Sequence, residues 1–452
     1  MGGVRHYSTL SHANLAVKYV SRGRERDRAM YVVQGISPGG RTLRVNDSSI
    51  HTLKAGLLER LFYCNVNGEF VPPPRVDSQH VFESLKGFRR GVLRSYGHRP
   101  TPVSPEQFAE MYKGRAKARA LNAIEDYHKY GVNRSDSIST VFSKMEKVNP
   151  SKAPRNINPR TPVYNLALGV YLKPIEHMVY KAITRASGNS IPVVMKGYNV
   201  VDVASLIRKK WDMFSDPVCV GLDATKFDMH VSAAMLKWEH SVYLELFGND
   251  SVLKKLLSWQ VANKGRGYSH DGKLKFNIYG TRFSGDMNTA MGNCLIMCAC
   301  VVTYARSKNI SCELANNGDD CVVIMNKKDL ELFGFGLSEW FLQLGFRMTV
   351  EPPVFEFEHI EFCQMHPVSD GTSWRMVRDH CKSREKDSIA LLDISRPGAY
   401  GKWMAAVGEC GLALNSGMPV LQSMYLAFNR HGKPGRVNHA LQMQSGAMFL
   451  RK

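Results

Sequence analysis

Apolar and polar positions recur with different periods along the chain, and each change of period marks an element. "LKAGLLERLFY" (53–63) carries apolar residues at helical spacing, and "VPPPR" (71–75) breaks the chain after it. "PVCVGL" (217–222) is a short apolar run with β-branched residues, the pattern of a buried strand, and it ends at Asp223. Behind it, "VSAAMLKWEHSVYLELFG" (231–248) predicts an amphipathic helix. A Gly- and Lys-rich segment, "NKGRGYSHDGKLKF" (263–276), separates that helix from residues 280–305, which read as a loop feeding a buried helix. "NNGDDCVVIM" (316–325) predicts a turn running into a strand, "LELFGFGLSEWFLQLG" (330–345) a helix, and "VFEFEHIEF" (354–362) a strand. Residues 1 to about 50, including "YVSRGRERDR", are polar and basic with little periodicity, so a partly ordered extension is expected there. No internal repeat or low-complexity tract interrupts this order.

Composition adds a size and a kind of partner. At 452 residues and 44% apolar content the chain can bury a large core and form two to four domains or subdomains. A formal net charge of +20 and a pI near 9.5 favour a polyanion, nucleic acid first and an anionic membrane surface second. The densest long basic region is 113–160, with eleven Lys or Arg against four acids. Ten scattered cysteines without C-x-x-C pairs read as buried free thiols in a reducing compartment. The most lipid-like run, Cys294 to Val302, is far shorter than the roughly twenty residues a span needs, and no transmembrane helix or secretory signal is visible. A cytosol-facing protein is implied.

Candidate chemistry centres on carboxylates. Asp319 and Asp320 follow Gly318, which by itself suits a solvated hairpin turn. The sharper alternative is that the hairpin brings two carboxylates together to share divalent metal, which requires an acid from elsewhere. Asp223, at the end of the apolar run, meets that need; Asp228, five residues on, lies near the same cavity or simply caps the next helix. Ser284 and Gly285 form a loop, and Thr289 and Asn293, four apart, share a helix face, unless they are only a cap followed by packing residues.

In order and wording these segments resemble the palm motifs of viral RNA-directed RNA polymerases, specifically those of tombusvirus-like plant plus-strand RNA viruses. "GLDATKFDMHVS" is similar to the first palm motif, "SGDMNTAMGN" to the second, "NNGDD" to the third, and "EFCQ" to the primer grip. "FSKMEKVNPSKAPRNINPRTPVYN" resembles the basic fingers motif, and "FAEMYKGRAKARALNAIE" and "LLERLFYCNVNGEFVPPP" resemble earlier segments. The resemblance covers Ile50 to the low 400s. It implies an α+β right-handed polymerase: a basic N-terminal extension (1–50), an N-terminal region and fingers (51–205), palm (206–245), a fingers insertion (246–278), palm again (279–366) with a small antiparallel sheet, and a thumb (367–452) carrying the basic run "KSREK".

It also implies roles. Asp223 and Asp319, with Asp320 assisting, would hold two Mg²⁺ or Mn²⁺ ions roughly 3.5 to 4 Å apart, and hard oxygen ligands suit these ions where Cys321 would not. Asp228, Ser284, Gly285, Thr289 and Asn293 match positions that select the nucleotide's ribose. Lys144, Lys147, Arg155 and Arg160 match the triphosphate-binding fingers motif, Lys113, Arg115 and Lys117 would track template RNA, and Phe362, Cys363 and Gln364 form the primer grip. Where the family often has a lysine after "GF", this chain has Thr349, with Arg347 two residues earlier. Arg347 is then a general acid or, since a guanidinium gives up its proton so reluctantly, only an electrostatic group. The implied partners are a single-stranded viral RNA template, the product duplex, ribonucleoside triphosphates and a membrane-bound viral replication protein, at membrane-associated replication sites in the host cytoplasm. Two rivals share the charge pattern. A reverse transcriptase would normally screen ribonucleotides with a bulky aromatic after its first palm motif, where this chain has Asp228, and an RNA-binding replication scaffold would leave the spaced carboxylates without a role.

Overall fold

The computed structural model describes residues 2–20, 28–33 and 43–433. It is a mixed α+β structure whose catalytic candidates sit on a four-stranded antiparallel sheet ordered Cys312–Asn316, Asp320–Asn326, Pro217–Ala224, Met348–Val350. Strand alternation sends neighbouring residues to opposite faces, and both faces are covered. Val218, Val220, Leu222, Val323 and Met325 enter the largest core, against the helices Pro162–Ser187, Ala233–Leu246 and Thr289–Ser307. Cys219, Ala315, Val322 and Ile324 enter a second core with Ala204, Trp211 and Phe357. Burial on both sides is why the sequence shows an unbroken apolar run rather than alternation.

Thr289–Ser307 is apolar almost all round because it is enclosed by protein. Among the described residues it is the one helix long and apolar enough to cross a membrane by length and composition, and 78% of its apolar window is buried.

A second sheet, of five strands, is ordered Leu15–Tyr19, Gly272–Tyr279, Ala262–Ser269, Ser139–Ser143, Asn156–Ile157. The helix Ile50–Leu57 covers its inner face through Ile50, Leu53 and Leu57, which meet Val141, Leu274 and Phe276. The C-terminal part contains the helices His380–Asp387, Ala399–Asn415 and Pro419–His431, the last two packed closely where Gly411 lies against the Tyr425 ring.

Four segments differ from the sequence reading. The first fifty residues are woven in: Leu15–Tyr19 joins the five-stranded sheet, Arg44–Val45 pairs with Lys147–Val148, and Tyr31–Val32 pairs with Ile389–Ala390. Most of "YVSRGRERDR", and the part of the expected thumb from 434 on, lie outside the described residues. The Gly- and Lys-rich segment is a β-hairpin in which Gly265 and Gly267 occupy the inward positions, Gly265 under the Phe276 ring. The helix expected over 330–345 is two short helices, Leu330–Gly334 and Leu337–Gln343, broken at Gly336 with φ +82°. "VFEFEHIEF" is mostly irregular: Val354 bridges to Cys219, a single helical turn follows at Phe357–His359, and Phe357, Ile360 and Phe362 anchor the loop in the second core.

Candidate active site

Register fixes the site. Asp320 stands directly across from Asp223 in the antiparallel ladder, and Thr349 stands across from Asp223 on its other side. Cross-strand partners share a face, so the two carboxylates emerge together. Asp319 lies at the turn between strands. Gly318 supplies its left-handed backbone, φ +102°. Buried Asn316 pins the turn, its Nδ2 donating to the Gly318 carbonyl at 2.9 Å and its Oδ1 accepting from the Gly318 N–H at 3.1 Å. Lys196 donates to Asn317 Oδ1 at 2.7 Å.

Asp223, Asp320 and Glu351 each resist ionisation. Burial raises the Asp223 pKa and the charge of Asp319 raises it further, with Lys152 opposing. Asp320 is pushed up to about 6, chiefly by burial and partly by Asp319, although the Cys363 N–H donates to its Oδ2 at 2.9 Å. Glu351 is raised by burial, Glu361 and Asp223. A cation among them would relieve all three shifts, and hard oxygen donors fit Mg²⁺ or Mn²⁺. Among the described residues no three His, Cys, Asp or Glu side chains close on one point as a finished metal cage. A Mg²⁺ site that uses one or two carboxylates and takes its remaining oxygens from substrate phosphates and water does not need one.

Two clefts, of about 610 and 760 Å³, meet at Asp223, Asp319, Arg155 and Gln364, which line both. The first is also walled by Asp320, Glu351 and Cys363, with Asn415 and Tyr425 from the C-terminal helices. Basic residues dominate the second: Arg60, Lys147, Lys152, Lys226, Arg282 and Lys386, beside Asp228 and Ser284.

The ribose candidates divide. Asn293 Nδ2 donates to Asp228 Oδ1 at 2.9 Å, while Asn293 Oδ1 is buried without a partner among the described residues; Asp228 lines the second cleft and Asn293, behind it, lines neither. Burial lifts Asp228 to about 6; Asn293 pulls it down and Asp319 adds to the rise. Ser284 lines the second cleft, and Gly285 packs on the Asn158–Pro159 backbone, where a Cβ would lie 2.7 Å from the Asn158 carbonyl. Thr289 is turned the other way, its hydroxyl donating to the Phe283 carbonyl at 2.9 Å, and it lines neither cleft.

Basic candidates divide too. Arg155 is exposed at the junction. Lys147 lines the second cleft with its ammonium donating to the Lys386 carbonyl, and burial lowers its pKa to about 8 against the pull of Asp387. Lys144 pairs with Glu146 at 3.0 Å and lines neither cleft. Arg160 departs from its expected role. Its side chain is wholly buried, bound to both oxygens of Asp286, to the Ser137 carbonyl at 2.6 Å and to Asn263 Oδ1 at 2.6 Å. A guanidinium so committed braces the Ser284–Asp286 loop and is not offered to a triphosphate. Lys113, Arg115 and Lys117 lie at the start of the surface helix Gly114–Tyr130, away from both clefts, with Lys117 paired to Glu110 at 2.7 Å.

At the segment expected to be the primer grip, Phe362 is buried and exchanges backbone hydrogen bonds with Met365 at 2.9 and 3.1 Å. Cys363 and Gln364 between them both have left-handed φ, +54° and +62°, costly for side-chain-bearing residues. Asn317 Nδ2 donates to Cys363 Sγ at 3.1 Å, so the turn is bound to the carboxylate hairpin. Arg347 is half-buried, lines neither cleft, and accepts at its carbonyl from the Thr225 N–H at 3.0 Å. Sequence reasoning missed Glu351, whose carboxylate lies over Gly221, and Lys152. Alternation from Thr349 pointed to the first; the second was one lysine among many.

The sequence pattern of viral RNA dependent RNA polymerases matches residues 16–449. The chain is 39% identical over 414 residues to the RNA-directed RNA polymerase of Maize chlorotic mottle virus (isolate United States/Kansas/1987), covering 90% of this chain and 43% of that protein. It is 40% identical over 404 residues to the RNA-directed RNA polymerase of Turnip crinkle virus, 88% of this chain and 51% of the relative. Against that of Oat chlorotic stunt virus the identity is 40% over 445 residues, 94% and 58%. The chain thus spans about half the length of the curated relatives it matches. With a family match across nearly all of the sequence and about two residues in five shared with each relative, the chain belongs to the viral RNA-directed RNA polymerases of tombusvirus-like plant viruses.

Proposed function

We propose that this chain carries the catalytic part of a template-directed RNA polymerase that copies a plus-strand viral RNA and starts without a primer. The observation that carries the reading is the junction of two clefts at Asp223 and Asp319, beside a hydrogen-bonding pair with a free acceptor. Asp223 and Asp319, with Asp320, would hold two Mg²⁺ or Mn²⁺ ions. When bound, such ions lower the pKa of a 3′-hydroxyl and neutralise triphosphate charge. Asp320, tied to the Cys363 N–H, fixes the carboxylate hairpin against the primer-grip turn, so the end of the growing strand and the acids keep one relative position. Lys147, Lys152, Arg155 and Lys386 give the second cleft the positive field that a triphosphate needs. Asp228 and Ser284 in the wall of the second cleft, with Asn293 bonded behind Asp228, would read a ribose hydroxyl; a 2′-deoxy nucleotide leaves that set without its partner.

In this reading the right hand has the N-terminal region and fingers at 51–205 and 246–278, palm at 206–245 and 279–366, and thumb from 367, with the template entering from the fingers and product leaving past the Ala399–Asn415 and Pro419–His431 helices. Partners are single-stranded viral RNA and ribonucleoside triphosphates, with a membrane-bound viral replication protein bringing the chain to replication sites in the host cytoplasm. The test is incorporation of labelled ribonucleotides on an unprimed single-stranded RNA template with Mg²⁺ or Mn²⁺, comparing the chain with Asp319→Ala. Template-dependent product that vanishes in the variant is expected. Equal incorporation by both would overturn the carboxylate assignment. RNA binding without synthesis, even on a primed template with the replication protein added, would favour the scaffold reading.

A further inference from the structure

Apart from Ile157 on the edge strand, which also lines the second cleft, the outer face of the five-stranded sheet lines neither cleft and has no part in the reading above. Its outward positions carry five cations: Lys18, Lys264, Arg266, Lys273 and Lys275. All are exposed, about 7 Å separates alternate residues along a strand, and no strand of this sheet contains an Asp or Glu. Register sharpens the charge. Arg266 stands directly across from Lys275, and Lys18 across from Lys273. Like charges directly opposed destabilise a sheet, and no ion pair with a described residue offsets them. Three aromatic rings share the face: Tyr268 across from Lys273, Tyr279 at the strand end, and Phe142 on the parallel neighbour, at 58%, 66% and 48% exposure.

We propose that this face is a docking platform for single-stranded RNA outside the catalytic clefts, with the cations on phosphates and the rings stacking on bases. Rows of like charge cost stability in the free protein and become favourable once a polyanion lies across them. Exposed rings between cations on a flat sheet suit unpaired bases, whose faces stack regardless of sequence. A membrane surface is the weaker occupant, because the three strands that carry the cations present no outward Leu, Ile or Val to bury among acyl chains, and Ile157 on the far edge strand is the one aliphatic of that kind on the face. The platform rests on the polymerase reading only for the source of its RNA.

The test measures binding of a fluorescent single-stranded oligouridylate to the full chain over a range of salt. Changing Lys264, Arg266 and Lys275 together to Ala should weaken binding and reduce the slope of log affinity against log salt by about 2. Tyr268→Ala should weaken binding roughly tenfold. Asp319→Ala should bind as the parent does, which separates this result from failure of the catalytic reading, and the triple variant should still extend on a template short enough to lie within the clefts. Unchanged affinity and slope in the triple variant would overturn the platform. Photo-crosslinking of 4-thiouridine RNA to the unaltered chain guards against a misfolded variant: crosslinks at Tyr268 or Tyr279 are expected, and crosslinks confined to cleft residues would overturn it. Vesicles of phosphatidylserine and phosphatidylcholine supply the other arm, since vesicle binding lost in the triple variant while RNA binding stands would give the face to a membrane instead.

Discussion

Asp228 shows how a single side chain is kept in an unfavourable state. Burial holds its carboxyl near pKa 6, so above that pH the folded protein carries a charge that the unfolded chain would solvate better. For an acid whose pKa is raised on folding, the folded state binds more protons than the unfolded one between about 4 and 6, and stability falls as pH rises through that window. Asp228→Asn keeps the shape without the charge. It should raise stability at pH 8 by about 1 to 2 kcal/mol, discounted for the part of the residue that still meets solvent. That gain should shrink toward zero as the pH falls to about 4, and thermal melts of both proteins across this range check it. A variant no more stable at pH 8 than at pH 4 would remove burial as the cause. Asp223, Asp319 and Asp228 were legible in the sequence because their neighbours form motifs, whereas the burial of Arg160 was not. Its ionic partner, Asp286, lies 126 residues away, and a basic motif looks the same whether its arginine faces a cleft or a core.

Elements were legible where periodicity reported burial directly. The strand Pro217–Ala224 and the helices Ala233–Leu246 and Thr289–Ser307 bury side chains in the pattern that the sequence shows. The hairpin Ala262–Ser269/Gly272–Tyr279 alternates just as strictly, but on its first strand the inward residues include Gly265 and Gly267, so the buried side carries no apolar signal. Those glycines are required by the rings and methyl groups they face. Gly265→Val, which would drive a side chain into Phe276, should cost about 1 to 3 kcal/mol and lower Tm by about 1 to 3 °C. Differential scanning calorimetry measures it, and an unchanged Tm would mean that this hairpin is not packed as described. The break at Gly336 was missed for a different reason: the apolar spacing continues through it, and only the left-handed backbone interrupts the helix.

Across the whole molecule, the described segments among the first fifty residues act as a tie rather than a tail. They pair with the five-stranded sheet, with the Lys147–Val148 strand beside the basic cleft, and with Ile389–Ala390 in the C-terminal part. Asp47 locks the same segment, accepting from Arg5 Nε at 2.7 Å and from Ser49 and Thr52 at the start of a helix. Deleting residues 1–20 removes the strand that covers the edge of Gly272–Tyr279, and an unpaired edge invites association. The truncated chain should elute partly as aggregate in size-exclusion chromatography and melt at a lower temperature; a monomeric protein of unchanged Tm would restore the view of this segment as a dispensable extension. The tie also sets an order of events in the growing chain. Tyr31–Val32 leaves the ribosome long before its partner Ile389–Ala390 exists, and at 5 to 20 residues per second the wait is on the order of 20 to 70 s. During synthesis Tyr31–Val32 therefore stays single long after its neighbours Leu15–Tyr19 and Arg44–Val45 can find their partners at 272–279 and 147–148, and its seam closes after both of theirs.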